Sequence, residues 1–406
     1  MAVSSDIPAS TPVPVADITA PLTAAIAEAE ELIRGADFIR TDIDLAEGYS
    51  YLGQSIHAVM QLAWSRALTH PFFVTSTGPY TKMGLDNPDT LYYSADLVAG
   101  AEYRVTGTRG TTTDLSFQVI TGNYDPDRVP GGDDAFDDRR LDIAADGSFE
   151  LWFGPYGPDE TRPNHFTLAD GATTLAVREV FGDWPAEQKG TISIERVDTV
   201  GTPADEPDIA VLTKRYRVAG KMLLSRINTW FNFPKWFYLD LPVNTFTEPR
   251  LTPGGLSTQF SSVGHYDLAD DEAMIITVPR SDAPYQGFQL GSMWYISLDY
   301  IGHQTSLNTA QAQTDPDGMI RMVVSRRDPG VANWIETTGR SHGILQIRWQ
   351  RTSAPIPASA GPTAQVIAFD DVAQHLPFHS HNVIDADGWR ERIAARQRGI
   401  ASRMLG

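Results

Sequence analysis

The stretch DGSFELWFGPYGPDETRPNHFTLADGATTLAVREVF, residues 146–181, recurs in outline as DGMIRMVVSRRDPGVANWIETTGRSHGILQIRWQ, residues 317–350. Each copy opens at an Asp-Gly turn (Asp146-Gly147, Asp317-Gly318) and runs a strand into a Pro-bearing loop. Each then reaches an Asn followed by a ring side chain (Asn164-His165, Asn333-Trp334) and ends on a strand carrying an arginine, Arg178 or Arg348. Gly147 to Asn164 is 17 positions and Gly318 to Asn333 is 15, while Asn to Arg is 14 in one copy and 15 in the other. Independent loops vary freely in length, so this agreement points to one supersecondary unit laid down twice.

Outward from each copy the period is that of strands. Before and after the first lie YYSADL (92–97), EYRVTGTRG (102–110), DLSFQVITG (114–122) and GTISIERVD (190–198), with an acidic, Gly-rich loop read across 121–140. Before the second lie STQFSSVGHYDL (257–268), EAMIITVP (272–279), YQGFQLGS (285–292) and MWYISLDYIG (293–302). A one-sided antiparallel sheet must bury its apolar face against another layer. The expected fold is therefore mainly β with flanking helices: two tandem antiparallel β-sandwich, jelly-roll-like modules with N-terminal, linker and C-terminal helices. The expected divisions are a disordered leader (1–17), a helical region (18–85), a first β-module (86–205), a linker helix (206–235), a second β-module (236–355) and a C-terminal extension with a helix (356–406).

The helices are read from spacing. Ile18, Leu22, Ala25, Ile26, Ala29, Leu32 and Ile33 form one stripe, and Tyr49, Leu52, Ile56, Val59, Met60 and Ala63 a second, with His57 at its core or boundary. A linker helix is expected from Asp208 to Phe231, ended by the FNFP that follows. The closing DADGWRERIAARQRGIASRM (385–404) predicts a helix capped by Asp385 or Asp387, its arginines either solvated or docked on the acidic body.

With no cysteine in 406 residues, disulfides, thiolate chemistry and sulfur-ligated zinc are excluded, and a reducing cytoplasm fits. The net charge of −19 repels phosphate backbones and anionic lipid, so neither nucleic acid nor a membrane surface is an expected partner. No window has the roughly 20 unbroken apolar residues of a membrane span. A homo-oligomer is compatible with all of this.

Candidate chemistry falls on a few clusters. In DNPDTLYY, Asp86 or Asp89 can serve as a base and Tyr92 or Tyr93 as a phenolic donor, with Lys82 upstream to polarise a carbonyl and Asn87 to bind substrate; the other reading is a tight turn that bonds its own backbone. Arg178 either clips Asp183 and Glu187 at a strand end or points into a cleft, where its fork suits a carboxylate or phenolate. His265 shares a strand face with Asp267. His303 lies near Gln304, Ser306 and Asn308, and with Gln286, Gln289 and Trp294 it reads as a pocket lining. Trp334 and Arg340 complete the candidate binding set, and His342 beside Arg340 is read as a turn residue. His379 and His381, with His375 nearby, have the spacing of a metal pair on an extended segment, but no carboxylate accompanies them and no metal is expected. No phosphate loop, dinucleotide fingerprint, nucleophile elbow or zincin helix is present, so no cofactor is expected.

At LDNPDTLYYSADL (85–97), NHFTLADGATTLAVREV (164–180) and DWPAEQKGTISIERV (183–197), the chain resembles bacterial proteins carrying the domain of unknown function 1214, often preceded by its 1254 relative. WRERIAARQRGIASRM (389–404) is similar to the ending of that family. The resemblance implies a double β-sandwich with helical additions. It implies no activity, since none is shared across the family, and a fold does not carry a mechanism with it. Members often have Trp after the first-module Asn, where this chain has His165.

Ligand pockets favour domain boundaries, so the expected site is a cleft between the two modules. One functional reading is a cofactor-independent lyase or hydrolase acting there on a small aromatic or apolar molecule. The alternative is a non-catalytic carbohydrate- or ligand-binding double sandwich.

Overall fold

The structure, a computed structural model, describes residues 18–122, 131–251 and 258–405; the expected leader at 1–17 lies outside them. In the first module the alternating stretches form β1 (Val74–Thr77), β2 (Thr90–Asp96), β3 (Tyr103–Thr108), β4 (Asp114–Thr121), β5 (Gly131–Asp137), β6 (Ser148–Gly154), β7 (His165–Thr167), β8 (Ala172–Val180) and β9 (Thr191–Arg196). The second module runs β10 (Arg250–Leu251), β11 (Phe260–Asp267), β12 (Glu272–Pro279), β13 (Tyr285–Gly291), β14 (Ser306–Asn308), β15 (Met319–Ser325), β16 (Trp334–Glu336), β17 (His342–Gln350) and β18 (Thr363–Ala368).

The strand order repeats in full. One module pairs its strands as β1-β2-β8-β4-β5 and β7-β6-β3-β9, the other as β10-β11-β17-β13-β14 and β16-β15-β12-β18. Each is a sandwich of a five-stranded and a four-stranded sheet. The ladders are antiparallel except for β6 with β7 and β15 with β16. These short pairs are parallel because the Pro-bearing loop carries the chain across before the Asn, which parallel pairing requires.

Period-2 alternation sets the cores. Leu115, Phe117, Val119, Leu175 and Val177 enter the first, around Phe136, Phe149 and Phe153. Leu345, Ile347 and Trp349 enter the second with Phe288, Leu290 and Met322. The Asn at each loop end is a corner post. Asn164 Nδ2 donates to the carbonyls of Asp142 and Glu150, both at 3.0 Å, and its Oδ1 accepts from the Asp142 N–H. Asn333 makes the same three bonds to Gln313 and Arg321, at 2.7, 3.0 and 2.8 Å.

The helices form a third layer: α1 (Ala20–Arg34), α2 (Asp42–Ser65) and α3 (Ile209–Phe237) bury a shared stripe that also takes in Trp294. Thr41 and Asp44 build a reciprocal capping box at the start of α2. The C-terminal segment contributes α4 (Val372–His375), α5 (His379–Asn382) and α6 (Ala386–Leu405). Phe369, Val372, Leu376 and Trp389 pack on Ala273, Ile275, Val323 and Trp334, covering the outer face of the four-stranded sheet of the second module. The matching face of the first module carries Arg104, Glu150 and Glu195 instead and stays half open. No helix among the described residues is long and apolar enough to cross a membrane.

Several expectations need correction. The acidic loop contains β5, whose pairing to β4 is a backbone property that its Asp-rich sequence hides. β1 lies in the region read as helical, and β18 in the C-terminal extension; each is a strand completing a sheet that its neighbours template. MWYISLDYIG is a run of turns, with Tyr295 at φ +56°, although its apolar side chains are buried. The linker helix continues through Pro234 to Phe237, where the proline removes one donor near an end that ties back through Tyr238 and Leu239 N–H to the Pro234 carbonyl. His57 and Tyr49 are exposed on α2, which buries Tyr51 and Ser55 instead.

Because Asn333 is wholly buried and holds three backbone groups, Asn333→Ala should destabilise the chain by about 2–3 kcal/mol, and Asn164→Ala at its more exposed corner by about 1 kcal/mol, read by denaturant unfolding.

Candidate functional site: a polar seam between the modules

A strand buried on both faces sends alternate side chains away from its own core. On the first module the outward row across β2, β8 and β4 is Tyr92, Arg178 and Ser116, flanked by Thr90, Val180 and Asp114 on one side and Ser94, Ala176 and Gln118 on the other. On the second module the outward pairs of β17 and β13 are Gln350 with Tyr285, Arg348 with Gly287 and Gln346 with Gln289. Bonds across the seam bring these faces together. Tyr285 Oη donates to Asp89 Oδ2 at 2.6 Å and lies 3.1 Å from Asn87 Oδ1, Asn308 Nδ2 donates to the Gly182 carbonyl at 2.9 Å, and Arg351 pairs with Asp114 at 3.4 Å and with Asp138.

The DNPD segment runs through this seam as a plug. Asn87 Oδ1 accepts from the Asp89 N–H at 3.1 Å, closing the expected Asx turn. Asp86 accepts from Ser297 N–H and Oγ–H at 3.1 and 2.8 Å, and Asp89 Oδ1 accepts from Trp184 Nε1 at 2.7 Å. The preceding Gly84 and Leu85 both have left-handed φ, +65° and +52°. For a branched side chain that conformation is costly, and it persists here because Leu85 N–H donates to Tyr295 O at 2.7 Å while Arg348 donates to the Leu85 carbonyl at 2.5 Å. Lys82 Nζ, its pKa lowered by burial, donates to Ser297 and Leu298 carbonyls at 2.9 and 2.7 Å. Gln289 donates to the Asp86 carbonyl at 2.9 Å and accepts from Arg348. Asp86, Asp89, Lys82, Asn87 and Gln289 thus hold the seam together, and neither aspartate is a free base.

From the far side α6 braces the plug. Arg403 donates to the Pro88 carbonyl, Arg396 to Tyr300 O and Ser306 O at 3.1 and 3.0 Å, and Arg392 to Gln304 Oε1 at 2.7 Å. Burial lowers the Arg396 pKa to about 10. Asp385, one of the two expected caps, caps the helix; Arg396 and Arg403 dock on backbone carbonyls and on the Trp184 ring, 4.9 and 4.5 Å away, while Arg390 pairs with Asp387 at 2.8 Å and Arg398 is exposed.

Several buried polar atoms without a partner among the described residues lie on the facing sheets, and others lie in the helical layer (Tyr51 Oη, Ser55 Oγ, Thr229 Oγ1) and on Arg403 of α6. Arg178 has no hydrogen-bond or ion-pair partner among the described residues, and its Nη1 is buried. The expected clip fails because Glu187 is taken by Gly182 N–H and Thr113 Oγ, both at 2.8 Å, and Asp183 turns back to Ala186. Ser116 Oγ, Asp114 Oδ2, Gln346 Oε1, Gln350 Oε1 and Asn87 Nδ2 are likewise buried without a partner among the described residues. Tyr92 Oη accepts from Asn87 N–H at 2.8 Å; burial raises its pKa, against Arg348 and Arg178 in electrostatic reach, and its side chain is half-buried. Tyr93, the next residue on the strand, faces the first core and leaves the candidate set. Burial pushes the Asp114 carboxyl up to about 7, with Arg351 opposing.

The other candidates are scattered by the fold. His265 does share a face with Asp267, but its Nε2 is bound to Leu241 O at 2.8 Å while Asp267 pairs with Arg40 at 2.7 Å. His303 bonds Glu336 at 2.8 Å at a half-exposed edge. Trp294 Nε1 donates to Asp44 O in the helical layer, Gln286 pins the hairpin turn through Pro279 O and Ser281 N, and Asn308 crosses to Gly182, so the pocket lining read around His303 does not assemble. Trp334 stacks 4.9 Å from Trp389 under the C-terminal cover, and Arg340 pairs with Glu47 on α2 at 2.9 Å. His342 is buried against Phe38 O. His379 and His381 sit on a short helix, where i, i+2 side chains diverge, and no metal-binding cluster is found among the described residues.

Two open hollows of about 660 Å³ each lie elsewhere in the first module, one lined by Ala99, Glu102, Tyr156 and Arg196, the other by Thr106, Glu150 and Trp152, with Arg162 in both linings. Their polar groups are already matched. Arg162 pairs with Glu102 at 2.5 Å, Arg196 with Asp198 at 2.7 Å and Trp152 Nε1 with Glu150 at 2.9 Å, so the seam, with its unmatched donors and acceptors, is the stronger candidate. Asp114, Ser116, Gln346, Arg348 and Gln350 did not stand out from sequence as site residues. Their signal was polar side chains at alternate positions in the same phase in DLSFQVIT and HGILQIRWQ, which ordinarily denotes a solvated face.

No family model and no curated protein matches the chain. Among solved structures, it is similar to an uncharacterized protein from Burkholderia cenocepacia, at 26% identity and a TM-score of 0.78, over 87% of this chain and 98% of that one. A second match, the VPA0106 protein from Vibrio parahaemolyticus, is 11% identical with a TM-score of 0.44, over 84% of this chain and all of that one.

Asp114 yields a prediction whose sign is definite. A carboxyl whose folded pKa lies above its unfolded value makes the folded chain hold the extra proton, so stability falls as pH rises from about 4 to about 7. Asp114→Asn should flatten that slope in urea melts taken across the range, while the wild type loses about 2–4 kcal/mol over it.

Proposed function

We propose that this protein takes a small molecule into the seam between its two modules, with the polar head of the ligand against Arg178, Ser116 and Tyr92 and an aromatic or otherwise apolar body lying toward the half-buried Ser94 and Ala176. The observation that carries this reading is the set of buried side-chain atoms on the two facing sheets that have no partner among the described residues. Native proteins rarely leave such atoms unmatched, and a ligand or ordered water supplies what the chain does not.

Within that reading a cofactor-independent lyase or hydrolase step would fall to Tyr92 as proton donor, since Asp86 and Asp89 are saturated and the histidines lie outside the seam. Asp114, one row deeper than Arg178, is the nearest carboxyl whose ionisation falls near neutrality. A double sandwich is what the resemblance to the 1214 family implies, and a cysteine-free chain suits the cytoplasm. A carbohydrate shelf is the weaker reading, because Trp152 on the open face is flanked by the Arg104 and Arg162 guanidinia at 5.8 and 4.3 Å.

A melting-shift panel of phenolic compounds, aromatic acids and simple sugars tests the proposal together with Ala176→Trp, which would fill the seam without deleting a polar group. Stabilisation of the wild type by an aromatic compound, lost in the variant, is the expected result. Shifts with sugars alone, or shifts that Ala176→Trp leaves untouched, would place binding elsewhere.

A further inference from the structure

We infer that the head group of the seam ligand is an anion, a carboxylate in its simplest form, gripped by the Arg178 guanidinium beside the Tyr92 phenol. This rests on the seam as the binding site and adds the class of molecule it takes.

The argument begins with how the seam treats its other arginines. Arg351 has Asp114 and Asp138, Arg396 has Tyr300 and Ser306 oxygens, Arg403 has the Pro88 carbonyl, and Arg348 has Leu85 O and Gln289 Oε1. Arg178 has no acceptor among the described residues, although its Nη1 is buried and its half-buried side chain stands on β8 between Tyr92 of β2 and the buried Ser116 of β4. A guanidinium taken out of water without an acceptor is costly, so a position that keeps one is built for an acceptor that arrives from outside.

The surroundings favour a full negative charge over a neutral carbonyl. The duplication places Arg348 at the equivalent position of the facing module, and both guanidinia are within electrostatic reach of Tyr92, against the one carboxylate of Asp86. Among the described residues neither has a carboxylate within ion-pair distance, and the acceptors of Arg348 are a carbonyl and an amide. Asp86 and Asp89, the carboxylates of the plug, are turned to Ser297, Trp184 and Tyr285. A planar carboxylate matches the fork of Arg178 with two parallel bonds, and the Tyr92 hydroxyl, which accepts from Asn87 N–H, still has its own proton to donate.

The test is calorimetric titration of the full chain with benzoate, 4-hydroxybenzoate and hexanoate against the neutral benzamide and benzyl alcohol, using wild type, Arg178→Gln, Arg178→Lys and Ala176→Trp. The carboxylates should bind wild type at least tenfold more tightly than their neutral counterparts. Arg178→Gln should lose on the order of tenfold or more, with partial rescue in Arg178→Lys, which keeps the charge without the fork. Should Arg178→Gln not fold, the acid-to-amide ratio in wild type decides. Equal affinity for benzoate and benzamide, unchanged benzoate affinity in Arg178→Gln, or no carboxylate binding at all would each overturn the anionic head. Benzamide binding that Ala176→Trp abolishes would, in those cases, leave the seam as the site, whereas carboxylate binding indifferent to Ala176→Trp would remove the seam itself.

Discussion

A five-stranded sheet that is covered on both sides has nowhere to send its outward side chains except into the layer it shares with the neighbouring sheet. In this protein β4 and β17 are the central cases, and their outward residues are Asp114, Ser116 and Gln118 on one and Gln346, Arg348 and Gln350 on the other. Two apolar faces would have fused the modules into one dry core. Two polar faces instead must be satisfied group by group, and the rest of the molecule is arranged around how that is done.

Much of the satisfaction comes from one short segment. The left-handed turn at Gly84 and Leu85 brings Asp86, Asn87 and Asp89 between the sheets, where they meet Ser297, Tyr285 and Trp184. Arginines from α6 close over the same segment from the opposite side, and Arg226 of α3 donates to Thr81 and Lys82 carbonyls just before it. Terminal, linker and module elements therefore converge on about ten residues. The plug leaves Arg178 without a partner among the described residues, so the structural role of the DNPD segment and the wall proposed to bind a ligand lie side by side.

The two copies of the repeated unit have kept their hydrogen-bonded corners and diverged on their surfaces. Asn164 and Asn333 hold the same three backbone groups, whereas the outer face of one four-stranded sheet is charged and the other is apolar beneath the C-terminal helices. The ring after the Asn follows the same division. Trp334 is buried against Trp389 because a cover lies over it, and His165, at the uncovered position, bonds its own loop at Arg162 O beside Tyr156. His165 thus reads as the consequence of an open face.

The sequence by itself determined the two β-modules and their duplication, because period-2 alternation, Asp-Gly turns and equal spacings are local properties that the pleat of a strand obeys wherever it sits. It also pointed to a self-bonding turn in the DNPD segment and narrowed the helix cap to Asp385 or Asp387, each made by a side chain reaching two or three residues along its own backbone. Tertiary structure alone decided that the outward polar face meets another sheet instead of water, that Arg178 finds no clip in Glu187, and that His265 and His303 lie apart from Tyr92. Alternation tells which side of a strand a residue occupies, but what lies opposite that side depends on residues more than a hundred positions away, as between Asp89 and Tyr285.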